Sequence, residues 1–271
     1  MKRFLPAVVC SVLFASSAWG QAPVAPASAA PVTAAPAAAT TATVAKLPQI
    51  VRHGKGSSTV PDPMKYLNNP DALRFCTEQV AKFNDKDADI IFIGDSITQG
   101  WMSRGKAVWD ANFEPRNALD FGISGDSTQN VLWRMETYPI KRLHPKVAVV
   151  LIGTNNRFDT APDIAAGVKA VLDKTQEFYP GIKIILVSIM PNLRANDLMM
   201  SADAILKTYA DNKTIYYLDL VPLMTPVGDN WKGLGADHLH PDASGYQLWT
   251  DAMLPLLNKL LPPPAGVSTA P

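Results

Sequence analysis

The feature that most constrains this chain is an alternation of two hydrophobic periods. Five runs read as strands: Asp89–Gly94, Ala118–Gly122, Val147–Gly153, Lys183–Met190 and Thr214–Leu220, several of them almost continuously apolar. A strand that is apolar along its whole length is covered on both faces, as parallel strands are. Stretches with helical spacing lie between these runs. The clearest is Pro162–Tyr179, where Ile164, Val168, Val171, Leu172 and Phe178 share one face. Others are Asn196–Asp211, Ser244–Leu261 and, before the first strand, Asp71–Asn84. The alternation predicts an α/β fold, a three-layer α/β/α sandwich around a five-stranded parallel sheet.

The termini have a different composition. Lys2 and Arg3 precede an apolar stretch, Phe4 to Ala18, and then the small-residue sequence SAWGQA. This reads as a secretory signal peptide over residues 1–20. Its apolar part is shorter than the roughly 20 residues of a membrane span. Cys10 lies inside it without the surroundings of a lipid-attachment cysteine. Residues 21–46 are almost all Ala, Pro, Val and Thr, which reads as an extended linker. The folded domain is expected over 47–261, with an unstructured tail at 262–271. Removal of the signal peptide would leave 23 basic against 24 acidic residues. That balance, without a basic stripe, argues against nucleic acid or an anionic membrane as partner. Cys76 would be the one remaining cysteine, so no internal disulfide is expected.

In parallel sheets ligands bind beyond the carboxyl ends of the strands. The expected loops there are GDSITQG, GISGDSTQN, GTNNRFD, SIMPNLR and a segment ending in DHLHPDASGY. The first presents Ser96 at a strand end, where a following helix would bring backbone amides near the hydroxyl. Asp and Ser before a helix also serve as caps. The sharp G-x-S-x-G turn of the α/β-hydrolases is missing, so a nucleophilic Ser96 requires another scaffold. In the second loop Gly125 lets the backbone approach a ligand, or simply makes a turn. In the third, Asn155 and Asn156 follow the most hydrophobic run. A side-chain amide there suits a developing oxyanion, and equally suits a turn. In the last, Asp237 stands three residues before His240, close enough to hold its Nδ1 and leave the other nitrogen as a base. Two of the four histidines, His238 and His240, share this turn.

The four blocks occur in order, each at an expected carboxyl edge: Gly-Asp-Ser, Ser-Gly-Asp, Gly-x-Asn and Asp-x-x-His. Together they resemble the SGNH hydrolase superfamily, the GDSL-type esterases and lipases, over about Asp89 to Leu261. The stretch NALDFGISGDSTQNVLWRMETYPIKRLHPKVAVVLIGTNN is most similar to the catalytic subunits of platelet-activating-factor acetylhydrolase and their bacterial relatives. The resemblance implies a flavodoxin-like sheet and a serine esterase. It implies Ser96 as nucleophile, His240 as base and Asp237 as its partner. The oxyanion hole would be the amides of Ser96 and Gly125 with the side chain of Asn155. Asp95 would support the site, and no cofactor or metal is implied.

The expected substrate is a small-molecule or carbohydrate ester, with a short acyl group, acetyl above all. A lysophospholipase or lipase-type acyl hydrolase is the alternative. Export with an Ala/Pro linker suits an acetylated envelope or environmental polysaccharide, reached in the periplasm or outside the cell. No membrane insertion is expected after signal removal. The most similar family members are dimeric, which leaves a homodimer as an open expectation. Trp101, Trp109 and Trp133 read as buried packing rather than as an acyl-pocket wall or a sugar platform. Two other classes compete. A metallophosphoesterase would need more ligands than GD, GTNN and HLH provide. A non-catalytic binding module would not need all four blocks filled.

Overall fold

The computed structural model describes residues 58–84, 86–139 and 143–264. The signal peptide and linker expected at residues 1–46 lie outside the described residues. So does most of the expected tail, whose first residues, 262–264, have no regular structure.

Two helices, α1 (Met64–Leu67) and α2 (Pro70–Asn84), precede the first strand. The central sheet is β1 (Ile90–Gly94), β2 (Ala118–Gly122), β3 (Val147–Leu151), β4 (Lys183–Val187) and β5 (Ile215–Leu218), all parallel, in the order β2-β1-β3-β4-β5. This is the flavodoxin-like order, with its switch point between β1 and β3. The connections are α3 (Ser96–Gln99) and α4 (Lys106–Asn112), then α5 (Thr128–Thr137), α6 (Ala161–Phe178) and α7 (Asn196–Leu206). A two-stranded ribbon, β6 (Pro226–Val227) with β7 (Asn230–Trp231), precedes the last helix, α8 (Ala243–Leu260).

Strand alternation divides the core in two. Ile91 and Ile93 of β1, Ala148 and Val150 of β3, and Ile184 and Leu186 of β4 pack against α5, α6 and α7. Ile90, Phe92, Val147, Val149, Ile185 and Val187 face α3, α4 and α8. The second face is rich in aromatics. Trp101 touches Phe92, Trp109, Phe113, Tyr246 and Trp249, with ring centroids 4.5–6.1 Å apart. Trp101 and Trp109 are therefore core residues, and Trp133 is buried on the other side, stacked on Tyr66 at 4.9 Å. All three tryptophans pack as the sequence predicts.

Several expected boundaries shift. β3 stops at Leu151 because the chain turns at Gly153 (φ +126°). β4 stops at Val187. Ser188 to Met190 stay buried, but the Ile189 N–H leaves the ladder and donates to Asp203 Oδ1 at 2.9 Å. α7 ends at Leu206 and tightens into a 3₁₀ turn over Lys207–Tyr209, short of the expected Asp211.

Candidate active site

The site is built by the carboxyl-terminal ends of β1, β2 and β3 and by the loop entering α8. β1 ends at Gly94, and β2 at Gly122. A Cβ on Gly94 would lie 2.0 Å from Thr98 Oγ1 and 2.4 Å from the Leu151 carbonyl oxygen. One on Gly122 would lie 2.2 Å from the Gln99 nitrogen. Only glycine at both strand ends lets α3 sit directly on the sheet. Asp95 caps that helix, its Oδ1 accepting from the Ile97 N–H at 2.9 Å. Ser96 is the first helical residue, and its hydroxyl stands half-buried at the sheet's edge.

The loop before α8 brings the imidazole to it. Leu239 is buried and anchors the loop, while His238 adopts a left-handed conformation (φ +53°) that turns Asp237 back towards His240. Asp242 then caps α8 by accepting from the N–H groups of Ser244 and Gly245 at 2.8 and 3.0 Å. The result is a continuous chain: Ser96 Oγ to His240 Nε2 at 2.8 Å, and His240 Nδ1 to Asp237 Oδ2 at 2.7 Å. Burial alone would raise the Asp237 carboxyl. The His240 backbone N–H, the His240 ring and the Leu239 N–H outweigh it and hold the carboxyl down to about 2. Asp237 is thus an anion across the working range, and its contact to Nδ1 directs the other nitrogen at the serine. Arg104 approaches Asp237 from outside, at 3.9 Å.

The remaining predicted residues converge on the same place. Gly125, in the loop after β2, has φ +79°, a left-handed backbone suited to glycine. The Asn155 side chain donates to the Asp126 carbonyl oxygen at 2.9 Å and to Asp95 Oδ2 at 3.3 Å. Both of its N–H groups are engaged, so a ligand oxygen would have to displace the longer bond. Asp95 is fully buried, and that burial raises its carboxyl to about 7 despite the Ile97 N–H that favours the anion. Asn156 has a different role. Its amide bonds Asp159, Gln129 and Thr128, holding the loop after β3 to the start of α5.

An open groove of about 910 Å³ leads from Ser96 and His240 across the end of β2 towards α2. Gln79, Lys82, Gln99, Ser103, Arg104 and Ser124 line it, with Phe75 and Met102 as its large apolar side chains. Asp120 lies in its floor. None of these residues takes a role in the sequence analysis, because they come from α2, α3, the turn after α3, β2 and the loop after it, and meet only in the folded chain. Among the described residues no group of three or more His, Cys, Asp or Glu side chains is placed to hold a metal ion.

A serine hydroxyl, an imidazole and a carboxylate in sequence above such a sheet is the arrangement of a hydrolase that works through a nucleophile. The model of the GDSL-like lipase/acylhydrolase family matches residues 92–248. The chain belongs to that family, whose members cleave esters, and it is an ester hydrolase. The alpha1 subunit of platelet-activating factor acetylhydrolase IB from Bos taurus is 33% identical over 204 residues, covering 71% of this chain and 84% of that protein. A lipolytic protein of the G-D-S-L family from Veillonella parvula superposes with a TM-score of 0.54 at 18% identity, over 64% of this chain and all of the other (100%). A carbohydrate esterase of family 3 from Talaromyces cellulolyticus gives 0.50 at 16% identity, over 64% and 97%. The two structures share the fold.

Proposed function

We propose that this protein is an exported serine esterase that removes short acyl groups, acetyl above all, from hydroxylated substrates such as acetylated carbohydrate. The observation that carries the serine mechanism is the Ser96–His240–Asp237 chain at 2.8 and 2.7 Å. His240 Nε2 takes the Ser96 proton as Oγ attacks the ester carbonyl, and Asp237 stabilises the imidazolium. The carbonyl oxygen becomes an anion between the Ser96 and Gly125 amides and the Asn155 side chain. Asn155 gives up its 3.3 Å bond to Asp95 for it, the longer of its two hydrogen bonds. The C–O bond breaks, and the alcohol leaves with the proton from His240. Water then attacks the acyl-Ser96 ester, losing a proton to His240, and the acid departs as Oγ is reprotonated.

Two observations support the substrate class. Gln79, Gln99, Ser103, Ser124, Lys82 and Arg104 stand along the groove beside Phe75 and Met102, and supply hydrogen-bonding groups for a hydroxylated alcohol. The 33% identical relative is named an acetylhydrolase. Export rests on the signal-like residues 1–20 and places the enzyme in the periplasm or outside the cell.

A panel of nitrophenyl esters from acetate to decanoate, with wild type and Ser96→Ala side by side in chelator, tests this reading. The expected result is turnover that falls with acyl length and vanishes in Ser96→Ala. Equal turnover along the panel removes the short-acyl assignment, and an active Ser96→Ala variant removes the mechanism.

A further inference from the structure

The Gly125–Asp126 turn carries more charge than a loop needs. The Asp126 side chain is fully buried, and three groups converge on it. Arg134 Nε donates to its Oδ2 at 2.8 Å, the Tyr66 hydroxyl donates to Oδ1 at 2.7 Å, and Lys65 Nζ pairs with the same Oδ1. Arg134 is itself buried on α5 and also holds the carbonyls of Gly94 and Phe121 at 3.2 and 2.7 Å, so it ties the turn to the strand ends. Lys65 comes from elsewhere. It sits on α1, N-terminal to the family-matched stretch, and its side chain is 19% exposed.

The segment before α1 is fastened for this delivery. The Ser58 hydroxyl donates to Asp159 at 2.6 Å, and the Ser58 carbonyl accepts from Thr128 at 2.8 Å. The Asp62 N–H bonds the Gln129 carbonyl at 3.1 Å, and its carbonyl accepts from Asn130 at 3.0 Å. Tyr66 is stacked on Trp133. Lys65 is thereby laid across Gly125, its Cε 3.9 Å from where a Cβ would stand there.

Asp126 connects both loop-borne donors of the oxyanion hole. It follows Gly125 directly, so its position sets the Gly125 backbone torsions that orient the Gly125 N–H, and its carbonyl oxygen accepts from Asn155 Nδ2 at 2.9 Å. We infer that Lys65 is a positioning residue for ester hydrolysis: by clamping Asp126 it holds the Gly125 amide and the Asn155 side chain in place for the oxyanion. The inference rests on the serine-esterase reading. A donor misplaced by an ångström or less costs rate in the chemical step and leaves substrate affinity largely alone.

The test compares Lys65→Met and Lys65→Arg with wild type on nitrophenyl acetate, reading kcat and KM separately and thermal unfolding alongside. Lys65→Met is expected to lower kcat about 10-fold with KM changed by less than about 2-fold. Lys65→Arg, which keeps the cation, should recover most of the loss. Lys65→Gln, which removes the cation but keeps a polar side chain, gives a second reading if Lys65→Met folds poorly; its kcat should also fall about 10-fold. A kcat within about 2-fold of wild type in folded Lys65→Met overturns the inference, as does a loss that Lys65→Arg does not restore. If Lys65→Met folds poorly, a kcat within about 2-fold of wild type in folded Lys65→Gln overturns it. Ser96→Ala separates the two levels: if it is inactive and Lys65→Met is normal, only the positioning role fails. If Ser96→Ala is active, the serine mechanism fails and the positioning role with it.

Discussion

Replacing Asp120 by Asn should make the protein more resistant to alkaline pH. Asp120 is 8% exposed, on β2 beneath the active-site groove. Its Oδ1 accepts from the Gly122 N–H at 2.7 Å, while Oδ2 is buried without a hydrogen-bond partner among the described residues. Burial raises the carboxyl from 3.8 to about 8, against the Gly122 N–H and the charge of Arg134, which favour the anion. The folded state therefore holds this proton more tightly than the unfolded chain. The stabilisation is complete below pH 3.8 and is lost as pH climbs to about 8. Each pH unit of that climb costs about 1.4 kcal/mol, so the whole span reaches about 5–6 kcal/mol. Relaxation of the groove floor and entry of water reduce this to about 2–3 kcal/mol. Asn reproduces the neutral acid: it keeps the acceptor for Gly122 and leaves the second position polar and unpaired. Asp95 and Asp203, each raised to about 7 mainly by burial, add slopes of the same sign that cancel in the comparison. Urea unfolding of wild type and Asp120→Asn at pH 5, 7 and 9 gives the difference directly. It should be within about 1 kcal/mol at pH 5 and favour the variant by at least about 2 kcal/mol at pH 9. A difference that stays flat from pH 5 to 9 would refute a neutral, buried Asp120.

Two further outcomes are expected. Asn155→Ala should lower kcat on nitrophenyl acetate by about 10²–10³-fold, measured against unfolding curves that show the protein still folded. Near-normal turnover would remove Asn155 from the oxyanion hole. N-terminal sequencing of protein recovered from an exporting bacterial host should begin near Gln21, and an intact Met1 on that material would count against the signal peptide.

Several strand runs were legible because parallel strands buried on both faces carry a nearly unbroken apolar signal, and the α/β/α layering follows from the alternation of that signal with helical spacing. The overruns at β3 and β4 have one cause. Residues 152–153 and 189–190 remain buried after leaving the ladder, and apolar composition reports burial, not pairing. α4 was too short for a period to show. α5 was hidden because Thr128, Asn130 and Arg134 are polar yet buried, so its inner face does not read as apolar.

At the site, Ser96, Gly125, Asn155, Asp237 and His240 were visible because each sits beside a strand end or helix start that the pattern located. Their convergence is what the structure adds. It also shows what a linear pattern omits: Asn155 is bonded on both sides before any substrate arrives. Lys65 and Asp126 meet through a fold that brings together two segments 61 residues apart. No spacing rule connects them.

The most direct test of the central claim is to treat the protein with a fluorophosphonate and map the adduct by mass spectrometry while following esterase activity. The account predicts one adduct per chain, on the peptide containing Ser96, formed in step with loss of activity and absent in His240→Ala. Full inactivation with Ser96 unmodified, or modification of Ser96 with activity retained, would contradict it.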